Sequence, residues 1–155
     1  MEINGIPLHP LVIHAVVVFV PLAALAAIAM SVPKWRWLAR WPALLLTLFA
    51  TVTSFVATRS GEQLKEDRGI DTPLVRDHEM WGERLMIAMW VFAVLVIVAF
   101  VVFPVVTRLA GGRDRSGSAP ALEKPLMVLV PLASVAVLVL VVLTGDAGAK
   151  AVWQQ

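Results

Sequence analysis

Three histidines and a few carboxylates are the residues of this chain that can do chemistry. His9 and His14 stand in PLHPLVIHAVVVFVP, at the entrance to an apolar run, and His78 stands in LVRDHEMWGERL. Imidazole nitrogens ligate haem iron and transition metals, and histidines on facing helices can share one iron in a bundle core. His9, His14 and His78 are therefore candidate cofactor ligands. Glu62, Glu83 and Asp146 can join His9 and His78 as ligands of zinc, copper or iron. No HExxH or similar local spacing occurs, so such a site must be assembled from distant segments. The competing role is structural. A histidine at a helix entrance can hydrogen-bond free backbone groups or a carboxylate. On that reading His9 and Asp146 lock the first and last helices together, and His78 anchors the third.

Other chemistries find no residues to carry them. There are no cysteines, which excludes disulfides, thiolate metal sites and cysteine nucleophiles. Ser60, Asp77 and His78 lack the nucleophile-elbow and oxyanion-loop text of a hydrolytic triad. No glycine-rich phosphate loop is present. The net charge is only +2, and no basic patch interleaves with aromatics, which argues against nucleic acid as a partner. Met30, Met80, Met86, Met89 and Met127 read as packing. The sequence leans away from an enzyme.

The elements that must position the histidines are membrane spans. The chain is 59% hydrophobic, against about 45–50% apolar in soluble domains. Four apolar stretches run over about 11–32, 39–58, 85–107 and 126–144. A spanning helix needs about 20 residues. The second stretch reaches that length with Leu38 and Trp41 included and Arg40 snorkelling to the interface. The fold expected is all-α, an integral membrane antiparallel four-helix bundle forming one domain over residues 1–155. Ala27-Ile28-Ala29 has the form of a cleavage triplet, but no Lys or Arg precedes it and the apolar run exceeds about 7–15 residues, so the first span reads as retained.

Helix starts are also legible. Pro10 suits a first helical turn. Asp71 or Thr72 can cap a helix opening at Pro73, and Leu74, His78, Trp81 and Leu85 then recur at helical spacing. Span three thus extends outward from about 73, with His78 on its apolar face. The charged stretch RSGEQLKEDRGID reads as a solvated loop, and the stretch 111–120 as a flexible one. No internal repeat stands out in the residue text.

Basic residues mark the cytoplasmic side. Lys34, Arg36 and Arg40 lie between spans one and two; Arg108, Arg113, Arg115 and Lys124 lie between spans three and four. The middle loop carries five basic residues over a longer segment. The density places both termini outside. Trp35, Trp37 and Trp41 then form an inner aromatic belt, with Trp81 and Trp153 in the outer one. In this arrangement His9, His14, Glu62, His78, Glu83 and Asp146 all converge on the outer face.

Three segments, GIPLHPLVIHAVVVFVPLAAL, LVRDHEMWGERL and TGDAGAKAVW, together resemble a bacterial membrane family known as domain of unknown function 2231. The resemblance covers essentially the whole chain, and the His-Pro-x-x-x-His opening is its most recognisable part. It implies a four-span domain of the bacterial cytoplasmic membrane with no established activity. Some relatives are joined to Rieske iron–sulfur domains, which implies electron transfer for those; this chain has no Rieske cysteines. Many relatives have Gly-His where this chain has Gly145-Asp146, so a carboxylate stands here for a possible histidine ligand.

Axial levels sort the histidines. At about 1.5 Å of rise per residue, His14 lies roughly 4–5 Å inside span one and His78 roughly 10 Å outside span three. The two are mismatched by about 15 Å as ligands of one haem, whereas His9 is closer to His78 but near the surface. Two functions remain open. One is a redox-associated membrane subunit holding haem or a metal at the outer cluster, working with a redox membrane partner. The other is a non-catalytic structural or partner-binding subunit. Gly- and Ala-rich text such as Ala23-Ala24 allows close helix approach in the bundle or in a homo-oligomer. A transporter is disfavoured, because the spans are nearly uncharged and show no pair of broken helices.

Overall fold

A computed structural model of the chain describes residues 2–3, 6–106, 113–114 and 120–154. Four long helices dominate: α1 (Leu8–Ser31), α2 (Arg36–Arg68), α3 (Pro73–Val102) and α4 (Pro120–Trp153). Two-residue antiparallel pairings, Glu2–Ile3 with Ile6–Pro7 and Val105–Val106 with Arg113–Asp114, are the only other regular elements among the described residues. The predicted flexible stretch 111–120 lies outside the described residues except at 113–114 and 120.

Each helix is long and apolar enough to cross a membrane. At ~1.5 Å per residue, the 33 residues of α2 and the 34 of α4 reach about 50 Å, well beyond a hydrocarbon core of about 30 Å. Helices α2, α3 and α4 are therefore longer than that core is thick, and α2 and α3 carry charged residues at the histidine end, where they project from the apolar spans. The projection of α3 is capped as its sequence predicts: Thr72 Oγ1 accepts from the Val75 N–H at 3.3 Å, and Pro73 takes the first helical position.

The projection of α2 departs from expectation. The charged stretch read as a loop is helical as far as Arg68. Glu, Gln, Leu, Lys and Arg are good helix formers, and the apolar span supplies the nucleus that they only need to continue. Arg59 pairs with Glu62 one turn on at 3.0 Å, and Lys65 reaches Glu79 of α3 at 2.7 Å. Gly69 ends the helix at φ +62°, with its N–H on Glu66 O and that of Ile70 on Lys65 O, both at 3.2 Å. A left-handed residue is needed there, and glycine takes it without strain.

The helices form a ring in chain order. α1 packs on α2 and α3 on α4 most extensively, α2 on α3 and α1 on α4 less, and the diagonal pairs barely touch. The core is a column of Val20, Ala23, Ala24, Ala27, Ala43, Met89, Phe92, Val96 and Val130, all nearly or fully buried. Leu25, Leu45, Val91, Val94 and Leu132 are among many large apolar side chains turned outward. In water that surface would be costly; in a bilayer it is the expected lipid face. Four buried hydroxyls return to their own helices: Ser31, Thr51, Ser54 and Ser134 each donate to the carbonyl four residues back, while the buried Thr47 hydroxyl meets no acceptor among the described residues.

A repeat invisible in the residue text appears in the burial pattern. Val16, Val20, Ala23, Ala24, Ala27 and Met30 of α1 fall on Leu85, Met89, Phe92, Ala93, Val96 and Ala99 of α3 at one constant offset. The same offset sets His9 on His78. Ala39, Ala43, Thr47, Ala50, Ser54 and Ser60 of α2 fall on Leu126, Val130, Ser134, Val137, Val141 and Ala147 of α4 at a second constant offset. That one sets Gly61 on Gly148 and Arg36 on Glu123. The bundle is thus two equivalent helical hairpins about a pseudo-twofold axis running along it.

Small residues set the close approach of α1 and α2. Ala24→Leu places a large side chain in a fully buried position and is expected to cost about 1–3 kcal/mol. Leu25→Ala, on the lipid face beside it, is expected to change stability by less than about 0.5 kcal/mol. Thermal unfolding of both variants in detergent checks the assignment of faces.

Candidate functional site

The pseudo-twofold axis brings His9 and His78 together at one end of the bundle. Their ring centroids are 6.1 Å apart, with 69° between the planes. They sit on the diagonal helices α1 and α3.

The two rings are held alike. His9 Nδ1 donates to the Ala57 carbonyl of α2 at 2.8 Å. His78 Nδ1 donates to the Thr144 carbonyl of α4 at 3.1 Å. A carbonyl can only accept, so Nδ1 carries a proton in both rings, and Nε2 is the nitrogen that no carbonyl engages. Metal-ligating histidines are commonly oriented in this way, with one nitrogen on a backbone carbonyl and the other free to ligate. Ser60 Oγ lies 3.4 Å from His9 Nδ1 and donates to the same Ala57 carbonyl at 3.1 Å. Thr144 Oγ1 shares its one proton between the Leu140 carbonyl of its own helix at 2.8 Å and the Trp81 carbonyl of α3 at 3.1 Å.

One residue in each partner helix makes this possible. Each acceptor carbonyl lies four residues before a glycine, and the ring crosses that glycine to reach it. A Cβ built at Gly61 would lie 2.9 Å from His9 Cε1 and 3.1 Å from its Nδ1. A Cβ at Gly148 would meet the same atoms of His78 at the same distances.

The histidines line a cavity of about 810 Å³ among the ends of all four helices. Cofactor and small-molecule pockets span about 300–1,000 Å³. Ile13, Val16, Val17, Leu85 and Val141 form its apolar floor and walls. Glu62, Lys65, Arg68 and Glu79 are the charged residues of its lining.

The other predicted site residues divide. His14 lines the same cavity, but it is exposed and its Nδ1 donates to the Pro10 carbonyl of its own helix at 2.7 Å. Glu62 lines the cavity and pairs with Arg59. Asp146 and Glu83 do not line it. Asp146 pairs with Lys150 at 2.6 Å on an exposed face of α4. The expected lock between His9 and Asp146 is replaced by one between α1 and α2, because His9 bonds Ala57. Among the described residues, no group of three or more His, Asp or Glu gathers as metal ligands. The site is a pair of imidazoles.

Sequence reasoning missed Ala57, Gly61, Thr144 and Gly148. Two act through backbone carbonyls, which every residue type has. The glycines were the available signal, since glycine inside a helix costs about 1 kcal/mol and invites a packing reason.

A family model described as a predicted membrane protein, DUF2231, matches residues 5–155. No curated protein and no solved structure matches the chain.

Gly61→Ala and Gly148→Ala must each displace a hydrogen-bonded ring and are expected to destabilise by about 1–3 kcal/mol. Gly82→Ala and Gly145→Ala meet nothing within 4 Å, and helix propensity is expected to stabilise them by up to about 1 kcal/mol. The contrast is read from thermal unfolding midpoints in detergent.

Proposed function

The chain belongs to the DUF2231 family of predicted membrane proteins, and from that premise we propose that it holds a redox cofactor, a haem or a single transition-metal ion, between His9 and His78. The observation that carries this reading is the pairing of two rings, each fixed through Nδ1, with both Nε2 lone pairs uncommitted to any carbonyl. His9 and His78 would hold the metal, and at bonds of about 2.0–2.1 Å two imidazoles sharing one ion would have ring centroids up to roughly 6 Å apart. The observed 6.1 Å fits that span. The cavity has the volume and apolar lining for a porphyrin, and Lys65 and Arg68 in its lining suit carboxylate substituents.

A bound iron would supply one-electron chemistry at this site. The chain's own contribution is to orient two imidazoles and to surround them with apolar walls. The reading makes the protein an electron carrier or the partner of one in the bacterial cytoplasmic membrane. The basic residues between α1 and α2 support placing the histidine end, with both termini, outside. Glu62 is the one predicted carboxylate ligand retained here as a cavity residue.

A second reading has its own support. The bonds from His9 to α2 and from His78 to α4 pin the outer helix ends without any cofactor. A purely structural role needs nothing from Nε2.

An optical spectrum and metal analysis of the protein, purified in mild detergent and incubated with hemin or with transition-metal salts, separates the two. The cofactor reading expects a Soret band or one metal per chain, lost in His9→Ala and His78→Ala and retained in His14→Ala. No absorbance and no retained metal in the unsubstituted protein would rule it out, and destabilisation of the same two variants would then assign the rings to structure.

A further inference from the structure

A second buried polar feature lies at the opposite end of the bundle, independent of the histidines. Arg36 opens α2 and is 2% exposed. Its Nη1 donates to Glu123 Oε1 of α4 at 2.7 Å, and its guanidinium lies 4.2 Å from the Phe103 ring. Its Nε and Nη2 are buried and meet no acceptor among the described residues. These two nitrogens form the side edge of the guanidinium, the fork that grips two oxygens of a phosphate or carboxylate at once. One turn further, Arg40 lies 4.1 Å from the Phe100 ring, and its buried Nε is unmet as well.

The aromatic rings occupy the faces of both cations. A ring face attracts the charge, but it does not satisfy N–H donors that lie in the guanidinium plane. What both arginines lack is therefore an acceptor at their edges. Glu123 offsets one positive charge, which leaves Arg40 and Lys34 in excess. Trp35 supplies no side-chain cap, so the first-turn N–H groups of α2 add to the positive potential. Depth identifies the source of the anion. Trp35, Trp37 and Trp41 surround this end at 50%, 53% and 60% exposure, the pattern of side chains seated at headgroup level.

We propose that Arg36 and Arg40 form a phosphate site that takes the headgroup of an anionic phospholipid. Arg36 grips two phosphate oxygens through Nε and Nη2, and Arg40 contributes its Nε and its charge.

The test compares thermal unfolding midpoints of the protein in neutral detergent with added phosphatidylglycerol, phosphatidylcholine or inorganic phosphate. Phosphatidylglycerol is expected to raise the midpoint by several degrees more than phosphatidylcholine does. Arg40→Gln, which leaves the Arg36–Glu123 pair intact, is expected to remove most of that difference. Glu123→Gln, which deletes the competing carboxylate, is expected to enlarge it. An equal rise with inorganic phosphate alone would support the phosphate site and assign it to a soluble anion. Equal shifts with the two lipids and none with phosphate, or an undiminished lipid preference in Arg40→Gln, would overturn the proposal.

Discussion

A carbonyl in a helix can accept more than one hydrogen bond, and the histidine end of this bundle is organised by which donors share it. Within α2, the Ala57 carbonyl already accepts from the residue four positions on. His9 donates to the same oxygen at 2.8 Å, alongside the Ser60 hydroxyl at 3.1 Å. To reach it the ring must pass over residue 61, and only glycine leaves room. The hydrogen bond and the glycine are one requirement. It fixes the ring, the tautomer and the distance between the two helices together, and α3 and α4 meet the same requirement with His78, Thr144 and Gly148.

That recurrence gives the bundle its pseudo-twofold axis. Residues equivalent about such an axis face one another across the diagonal, so their chemistry must tolerate meeting its own copy. Two imidazoles do so with centroids 6.1 Å apart. Two arginines cannot, and at the other end the equivalent positions hold Arg36 and Glu123, which pair at 2.7 Å. Between the ends the halves diverge in size while keeping register. Ala23 and Ala27 of α1 correspond to Phe92 and Val96 of α3, and Ala43 and Ala50 of α2 to Val130 and Val137 of α4. Small residues in the first hairpin bring its helices close, and larger ones in the second fill the volume along the axis.

The sequence carried the spans plainly, because an apolar run of about 20 residues matches the thickness of a bilayer core as a helix. It also carried the Thr72–Pro73 start of α3, a matter of local capping chemistry. Convergence of His9 and His78 followed from antiparallel topology and helix rise. The repeat did not show, for two physical reasons. Its helices recur at different offsets, and equivalent positions share burial rather than residue type. The helical extension of α2 was masked by its charges, which suit a solvated helix as well as a loop. The lock between His9 and Asp146 does not form: His9 bonds the Ala57 carbonyl, and Asp146 pairs with Lys150 one turn away on α4.

The most direct measurement is nitrogen-15 NMR of histidine-labelled protein in bilayers, with His9 and His78 assigned by substitution. The account predicts that both rings carry a proton on Nδ1, hydrogen-bonded to a carbonyl, and that magnetisation passes between them across their close contact. Protons on Nε2, or no transfer between the two rings, would contradict the paired, carbonyl-oriented site on which the account rests.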